Sequence, residues 1–105
     1  MVKKITPIEL KKALEEKAPI QLIDVREAYE REICHIGGIH LPINRFIVER
    51  NKLDLNKQKV FYCRSGIRSE NAIYFLSHYG FENMYNLEGG LLRWIKEVDP
   101  SLRSY

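Results

Sequence analysis

Seven consecutive residues, Cys63-Arg64-Ser65-Gly66-Ile67-Arg68-Ser69, bring together a thiol, two guanidinium groups, two hydroxyls and a glycine. A cysteine by itself is more often a small buried hydrophobe than a reagent. These neighbours argue for reactivity, because an inert core thiol has no use for two arginines and two hydroxyls, whereas a bound anion uses them all. The chemistry they imply is a thiolate nucleophile in an anion-binding turn.

The flanking residues supply the scaffold for that turn. Val60-Phe61-Tyr62-Cys63 is β-prone, and Ala72, Ile73, Phe75, Leu76 and Tyr79 recur at helical spacing. Cys63 therefore ends a strand just before a helix begins, at the sheet edge where α/β proteins bind ligands and where first-turn N–H groups lack partners. A helix N-terminus favours a negative charge by about 0.3 to 1 kcal/mol, and by ~2 when partly buried. An arginine ~4 Å away at an effective dielectric of ~20 adds up to about 4 kcal/mol before desolvation. Together they are expected to hold Cys63 as thiolate at neutral pH.

The run from Cys63 to Ser69 resembles the active-site loop of the rhodanese (thiosulfate sulfurtransferase) superfamily. The resemblance implies that Cys63 accepts a sulfur atom from thiosulfate or a similar donor, carries it as a persulfide, and yields it to a thiol or cyanide. It implies that substrate is bound by Arg64, Ser65, Gly66, Ile67, Arg68 and Ser69, through their N–H groups and with both arginines steering the anionic donor. No metal and no organic cofactor is expected. A cysteine phosphatase or an arsenate reductase would share the cradle, but the phosphatase loop is C-x5-R, and here Cys63 and Arg68 are spaced as C-x4-R. A sulfur-relay or binding module for a partner protein is the other alternative.

From its start, the chain offers Val2 to Ile5 as a short edge strand. Thr6-Pro7-Ile8-Glu9 has the form of a capping box with proline at the first helical position, and Pro19 closes that helix. Ile20 to Val25 reads as a buried strand with Asp24 and Arg26 at its carboxyl end. This pair is either a solvated ion pair, a turn cap or a brace behind the catalytic loop; the run Ile23-Asp24-Val25-Arg26-Glu27 resembles the family's Asp-Val-Arg motif, which implies the brace. Ala28 to Ile33 is a short helix.

Cys34-His35-Ile36-Gly37-Gly38-Ile39-His40-Leu41-Pro42-Ile43 resembles the family's second motif, with departures at Cys34, where glycine is common, at Ile39, where alanine is common, and at Arg31, where an aromatic usually packs. His35 reads as a structural hydrogen-bonding residue at a strand start. Cys34, His35 and His40 lack a fourth ligand in paired spacing, so a zinc site is rejected. Cys34 as a resolving thiol for Cys63 is a hypothesis for peroxide treatment.

Asn44 to Leu53 is expected to be a helix capped by Asn44, Gly80 to end the long helix, Phe81 to Leu87 to be a strand, and Leu91 to Val98 a last helix. Tyr79-Gly80-Phe81 and Leu87-Glu88-Gly89-Gly90 with Trp94 resemble the family's closing motif. The tail, 99–105, is expected to fray.

Alternating helices and strands define a three-layer α/β/α fold with a mainly parallel sheet; the resemblance implies five strands and one rhodanese-like domain over residues 1–105. The 105 residues suffice for one such core. A net charge of +3, with scattered lysines and arginines, favours small anions as partners over nucleic acid. No apolar run reaches a membrane span of about 20 residues. With no signal-peptide core and no disulfide pattern, a cytoplasmic protein with two free thiols is expected.

Overall fold

The computed structural model describes residues 2–105. Its elements follow the alternation read from the sequence: β1 (Lys3–Ile5), α1 (Pro7–Glu15), β2 (Ile20–Asp24), α2 (Ala28–Ile33), β3 (Ile39–His40), β4 (Gln58–Tyr62), α3 (Ile67–Ser77), β5 (Met84–Leu87) and α4 (Gly90–Glu97). The five strands form one sheet in the order β1-β5-β4-β2-β3, with every pairing parallel. Helical crossovers are what parallel neighbours require, and they cover both faces.

Strand alternation divides the core in two. Phe61 and Cys63 of the β4 line pack with Ile23, Val25, Ala72, Ile73 and Leu76 on the α3 side. Val60 and Tyr62 pack with Leu10, Leu87, Leu91 and Trp94 on the side of α1 and α4. Cys34 belongs to the second group and Cys63 to the first, so the sheet separates the two free thiols. The folded protein thus offers Cys34 no route to a disulfide with Cys63.

α1 starts as its sequence requires: the Thr6 hydroxyl accepts from the Glu9 N–H at 3.2 Å, and the Glu9 carboxylate accepts from the Thr6 N–H at 2.9 Å. The segment from Asn44 to Leu53 departs from expectation. It is not a helix capped by Asn44 but a succession of turns that ends in a 3-10 helix at Arg50–Lys52. Its bonds are mostly of the tighter i to i−3 kind, including Arg45 N–H to Pro42 O (2.8 Å), Lys52 N–H to Glu49 O (3.0 Å) and Leu53 N–H to Arg50 O (3.1 Å). The β-branched pair Ile47-Val48 has poor helix propensity, and the Arg50 guanidinium occupies the Ile47 carbonyl at 2.6 Å. Two further expectations are adjusted. His35 lies in the turn before β3, its Nδ1 accepting from the Gly37 N–H at 2.9 Å. The tail beyond Pro100, expected to fray, lies docked, with Leu102 and Tyr105 packed against the α1 and α4 side of the core.

Candidate active site

Cys63 follows directly on β4, and its side chain is fully buried. Gly66, at φ +101°, is the N-cap of α3, a left-handed conformation in which any side chain would be strained. That turn aims the Gly66 N–H at the Cys63 Sγ, 3.0 Å away. The first i to i−4 bond of α3 runs from Glu70 N–H to Gly66 O at 3.2 Å. The N–H groups of Ile67, Arg68 and Ser69 precede it and so form the helix's first turn, where an anion is favoured.

The back of the loop is held by β5 and α4. Leu91 and Leu92 N–H groups donate to the carbonyls of Cys63 (2.9 Å) and Arg64 (3.0 Å). The parallel register sets Asn86 opposite Phe61, and its Nδ2 donates to Gly66 O at 2.9 Å. The Ser69 hydroxyl lies 2.5 Å from Asn86 Oδ1 and 3.4 Å from Cys63 Sγ. Ser65 and Ile67 project outward; Ile67 is 69 % exposed, a bare apolar residue at the loop's rim.

Both arginines of the loop are engaged. Arg68 makes a two-pronged ion pair with Glu30 of α2, at 2.7 and 2.8 Å. Those bonds hold the Glu30 carboxyl down at about 2, against its burial, and keep Arg68 above the usual arginine range. Arg64 donates through Nε to the main-chain oxygen of Tyr105 at 2.5 Å and stacks on its ring. Arg68 thus stands beside the loop already paired with a buried carboxylate, and Arg64 is turned toward the tail.

Behind them, Asp24 and Arg26 are wholly buried and paired through two bonds of 2.9 Å, and Asp24 also accepts from the Arg26 N–H at 3.0 Å, so the pair is not solvated and Asp24 caps the turn. Burial works against the Arg26 charge, but Asp24 and Tyr105 more than offset it. Arg26 also donates to the Cys34 and Glu30 carbonyls and to the Tyr105 hydroxyl, which in turn donates to Glu30 at 2.9 Å. Hydrogen bonds thus link the pair to the loop through Tyr105, Glu30 and Arg68. Arg31 adds a second guanidinium to Asp24 at 3.1 Å and donates to Gly38 O.

Glu30, Asn86 and Tyr105 were not singled out from the sequence. Asn86 left a trace there, as a polar residue on a strand otherwise built of Met84, Tyr85 and Leu87. Glu30 left a weaker one, as an acid in a helix's first turn; Tyr105 left none. Among the described residues no cluster of histidines, cysteines and carboxylates could hold a metal ion. A groove of about 490 Å³ runs up to the loop at Arg68, walled by Ile43, Phe46, Ile47, Ala72 and Phe75.

This fold, with a buried thiol under a helix N-terminus at the end of its central strand, is that of a rhodanese-like protein. The family model for the rhodanese-like domain matches residues 6–97, and the chain belongs to that family. It is 35 % identical to the probable adenylyltransferase/sulfurtransferase MoeZ of Mycobacterium tuberculosis over 96 % of its own length and 26 % of MoeZ. It is 36 % identical to the putative sulfurtransferase YtwF of Bacillus subtilis, over 94 % of this chain and 96 % of that one. The chain thus spans about a quarter of one such relative and nearly the whole of the other. A rhodanese-like domain protein from Staphylococcus aureus superposes with a TM-score of 0.82 at 30 % identity, covering 99 % of each chain.

Proposed function

We propose that the protein is a sulfurtransferase that carries sulfane sulfur as a persulfide on Cys63. The observation that carries this reading is the Gly66 N–H, 3.0 Å from the Cys63 sulfur, at the head of α3 in a C-x4-R loop. In the forward step the Cys63 thiolate attacks the outer sulfur of a donor such as thiosulfate. A new S–S bond forms on Cys63, the donor's S–S bond breaks, and its electron pair leaves with sulfite. The persulfide's negative outer sulfur is then held by N–H donors of the α3 first turn and the half-compensated charge of Arg68. A thiol or cyanide takes the outer sulfur and returns the Cys63 thiolate. A reducing, cytoplasmic setting would keep that thiolate available.

The test is intact mass after exposure to thiosulfate. One added sulfur, removed by cyanide, is expected on the native protein and none on Cys63→Ser. Arylphosphates should be inert, which separates this activity from a cysteine phosphatase.

A second reading, a sulfur-relay module loaded by a partner protein, is favoured by one specific observation. Arg64 and Arg68 are both already paired and the sulfur is buried, so small anions meet little free positive charge at the loop. MoeZ, whose name joins an adenylyltransferase to a sulfurtransferase, is a larger protein of which this chain matches a part. Rapid loading by a persulfide-bearing protein, with slow loading by thiosulfate, is the outcome that would select the relay.

A further inference from the structure

The Ser69 hydroxyl has one proton and three acceptors within reach: Asn86 Oδ1 at 2.5 Å, Gly66 O at 3.2 Å and Cys63 Sγ at 3.4 Å. The orientation of the Asn86 amide decides where that proton goes, and the hydrogen-bond network assigns it. Its Nδ2 donates to Gly66 O at 2.9 Å, and reversing the amide would set two carbonyl oxygens against each other. Oδ1 therefore faces Ser69 and takes the proton at the shortest of the three distances.

Ser69 consequently turns a lone pair, not a proton, toward the sulfur. This suits a thiol, whose S–H can point at the Ser69 oxygen, and it withholds a donor from a thiolate. The anion then has the Gly66 N–H and must break the Ser69–Asn86 bond to gain a second donor. All three residues are buried, so water is a poor substitute.

We propose that Asn86 is a positioning residue for the Cys63 nucleophile: by competing for the single Ser69 proton, it restrains how strongly the sulfur is hydrogen-bonded as an anion. Asn86 acts through Ser69 and touches neither donor nor acceptor. The inference rests on Cys63 being the reactive thiol, but not on any particular sulfur donor.

Alkylation of Cys63 by iodoacetamide, read by mass on its own peptide, tests this without any sulfur transfer. The titratable and charged groups at this end of the sheet are Arg64 and Arg68 from the loop, Glu70 from the first turn of α3, Asp24 and Arg26 from the end of β2, Arg31 and Glu30 from α2, His40 from β3, Glu88 and Arg93 from the turn into α4 and that helix, and Tyr105 from the tail. With Glu30 at about 2 and Tyr105 at about 12, the first stays ionised and the second neutral between pH 6 and 9. The remaining groups are common to all the variants compared.

Asn86→Leu leaves the Ser69 proton to the Gly66 carbonyl at 3.2 Å and the sulfur at 3.4 Å, and an anionic sulfur, as the charged acceptor, takes it from the neutral carbonyl. Alkylation at pH 6 should rise about 3- to 10-fold, the range that corresponds to ~0.7 to 1.4 kcal/mol of added anion stabilisation, while the rate on the alkaline plateau stays nearly the same. In a Ser69→Ala background the same Asn86 substitution should leave the pH profile unmoved. An unchanged or slower rate at pH 6 overturns the proposal, as does an equal shift in the absence of the Ser69 hydroxyl. If Asn86→Leu does not give a folded protein by circular dichroism, Asn86→Ala carries the same pair of expectations. Failure of thiosulfate loading with the alkylation pattern intact would count against the sulfur donor alone.

Discussion

Glu30 is the residue on which the positive charge around the loop is balanced. Its carboxylate receives both prongs of Arg68, the Glu27 N–H and the Tyr105 hydroxyl. Folding lowers its carboxyl from the ordinary 4.5 to about 2, chiefly through Arg68. As pH falls, the unfolded chain takes the proton first, so this contribution is complete above about pH 5 and drains away toward pH 2. Glu30→Gln should lose about 1 to 3 kcal/mol at pH 7, at the low side for a buried pair because Arg68 is partly exposed. It should also flatten the fall in urea midpoint between pH 5 and 3. A wild-type acid profile in this variant would mean that the pair stabilises nothing. Cys63 and its loop were legible in the sequence because seven adjacent residues write them out. Glu30 was not, because its meaning lies in Arg68, 38 positions later, and no local pattern records that contact.

The elements that position the loop were largely legible, since each is specified by local chemistry. The capping box and Pro7 start α1, four β-prone residues make β4, and 3.6-residue periodicity gives α3. The stretch from Asn44 to Leu53 misled because Phe46, Ile47, Arg50 and Leu53 repeat at helical intervals, while the hydrogen bonds go to i−3 carbonyls and to the Arg50 side chain. α4 shows how an element's terminus can serve the site through main-chain contacts alone. A Cβ on Gly90 would stand 2.4 Å from the Arg64 carbonyl oxygen and 2.7 Å from that of Cys63, at φ +61°. Gly90→Ala should therefore cost about 2 to 4 kcal/mol, from overpacking and left-handed strain together. It should slow sulfur loading by pushing α4 off the loop. Gly37→Ala, at φ +92° but with nothing within 4 Å of the added carbon, isolates the strain. It should cost about 1 to 2 kcal/mol and leave loading unchanged. Urea unfolding and the rate of persulfide formation, measured on both variants, check the contrast.

At the scale of the whole molecule, the chain's last residue closes a circuit that begins on β2. The Tyr105 ring lies against Arg26 and Arg64, its hydroxyl joins Arg26 to Glu30, and its main-chain oxygen holds Arg64. Three segments far apart in sequence meet at one side chain, and a frayed tail was the natural expectation only because none of them is local. Burial pushes the Tyr105 phenol up to about 12, so the bond it donates to Glu30 is fully present below pH 10 and is lost as pH rises toward 12. Tyr105→Phe keeps the ring under the two arginines and should cost about 1 kcal/mol, the worth of the hydroxyl's bonds. Tyr105→Ala removes the ring as well and should cost about 2 to 3 kcal/mol. The two variants part company in their effect on the site. With the ring gone the tail loses its anchor on the two arginines, so its main-chain oxygen releases Arg64 as well, and KM for thiosulfate should fall several-fold in Tyr105→Ala but not in Tyr105→Phe. Steady-state kinetics with both variants at low ionic strength, where a guanidinium's pull on an anion is least screened, make the comparison. Equal KM values for the two would show that the tail stabilises the fold without governing access to Arg64.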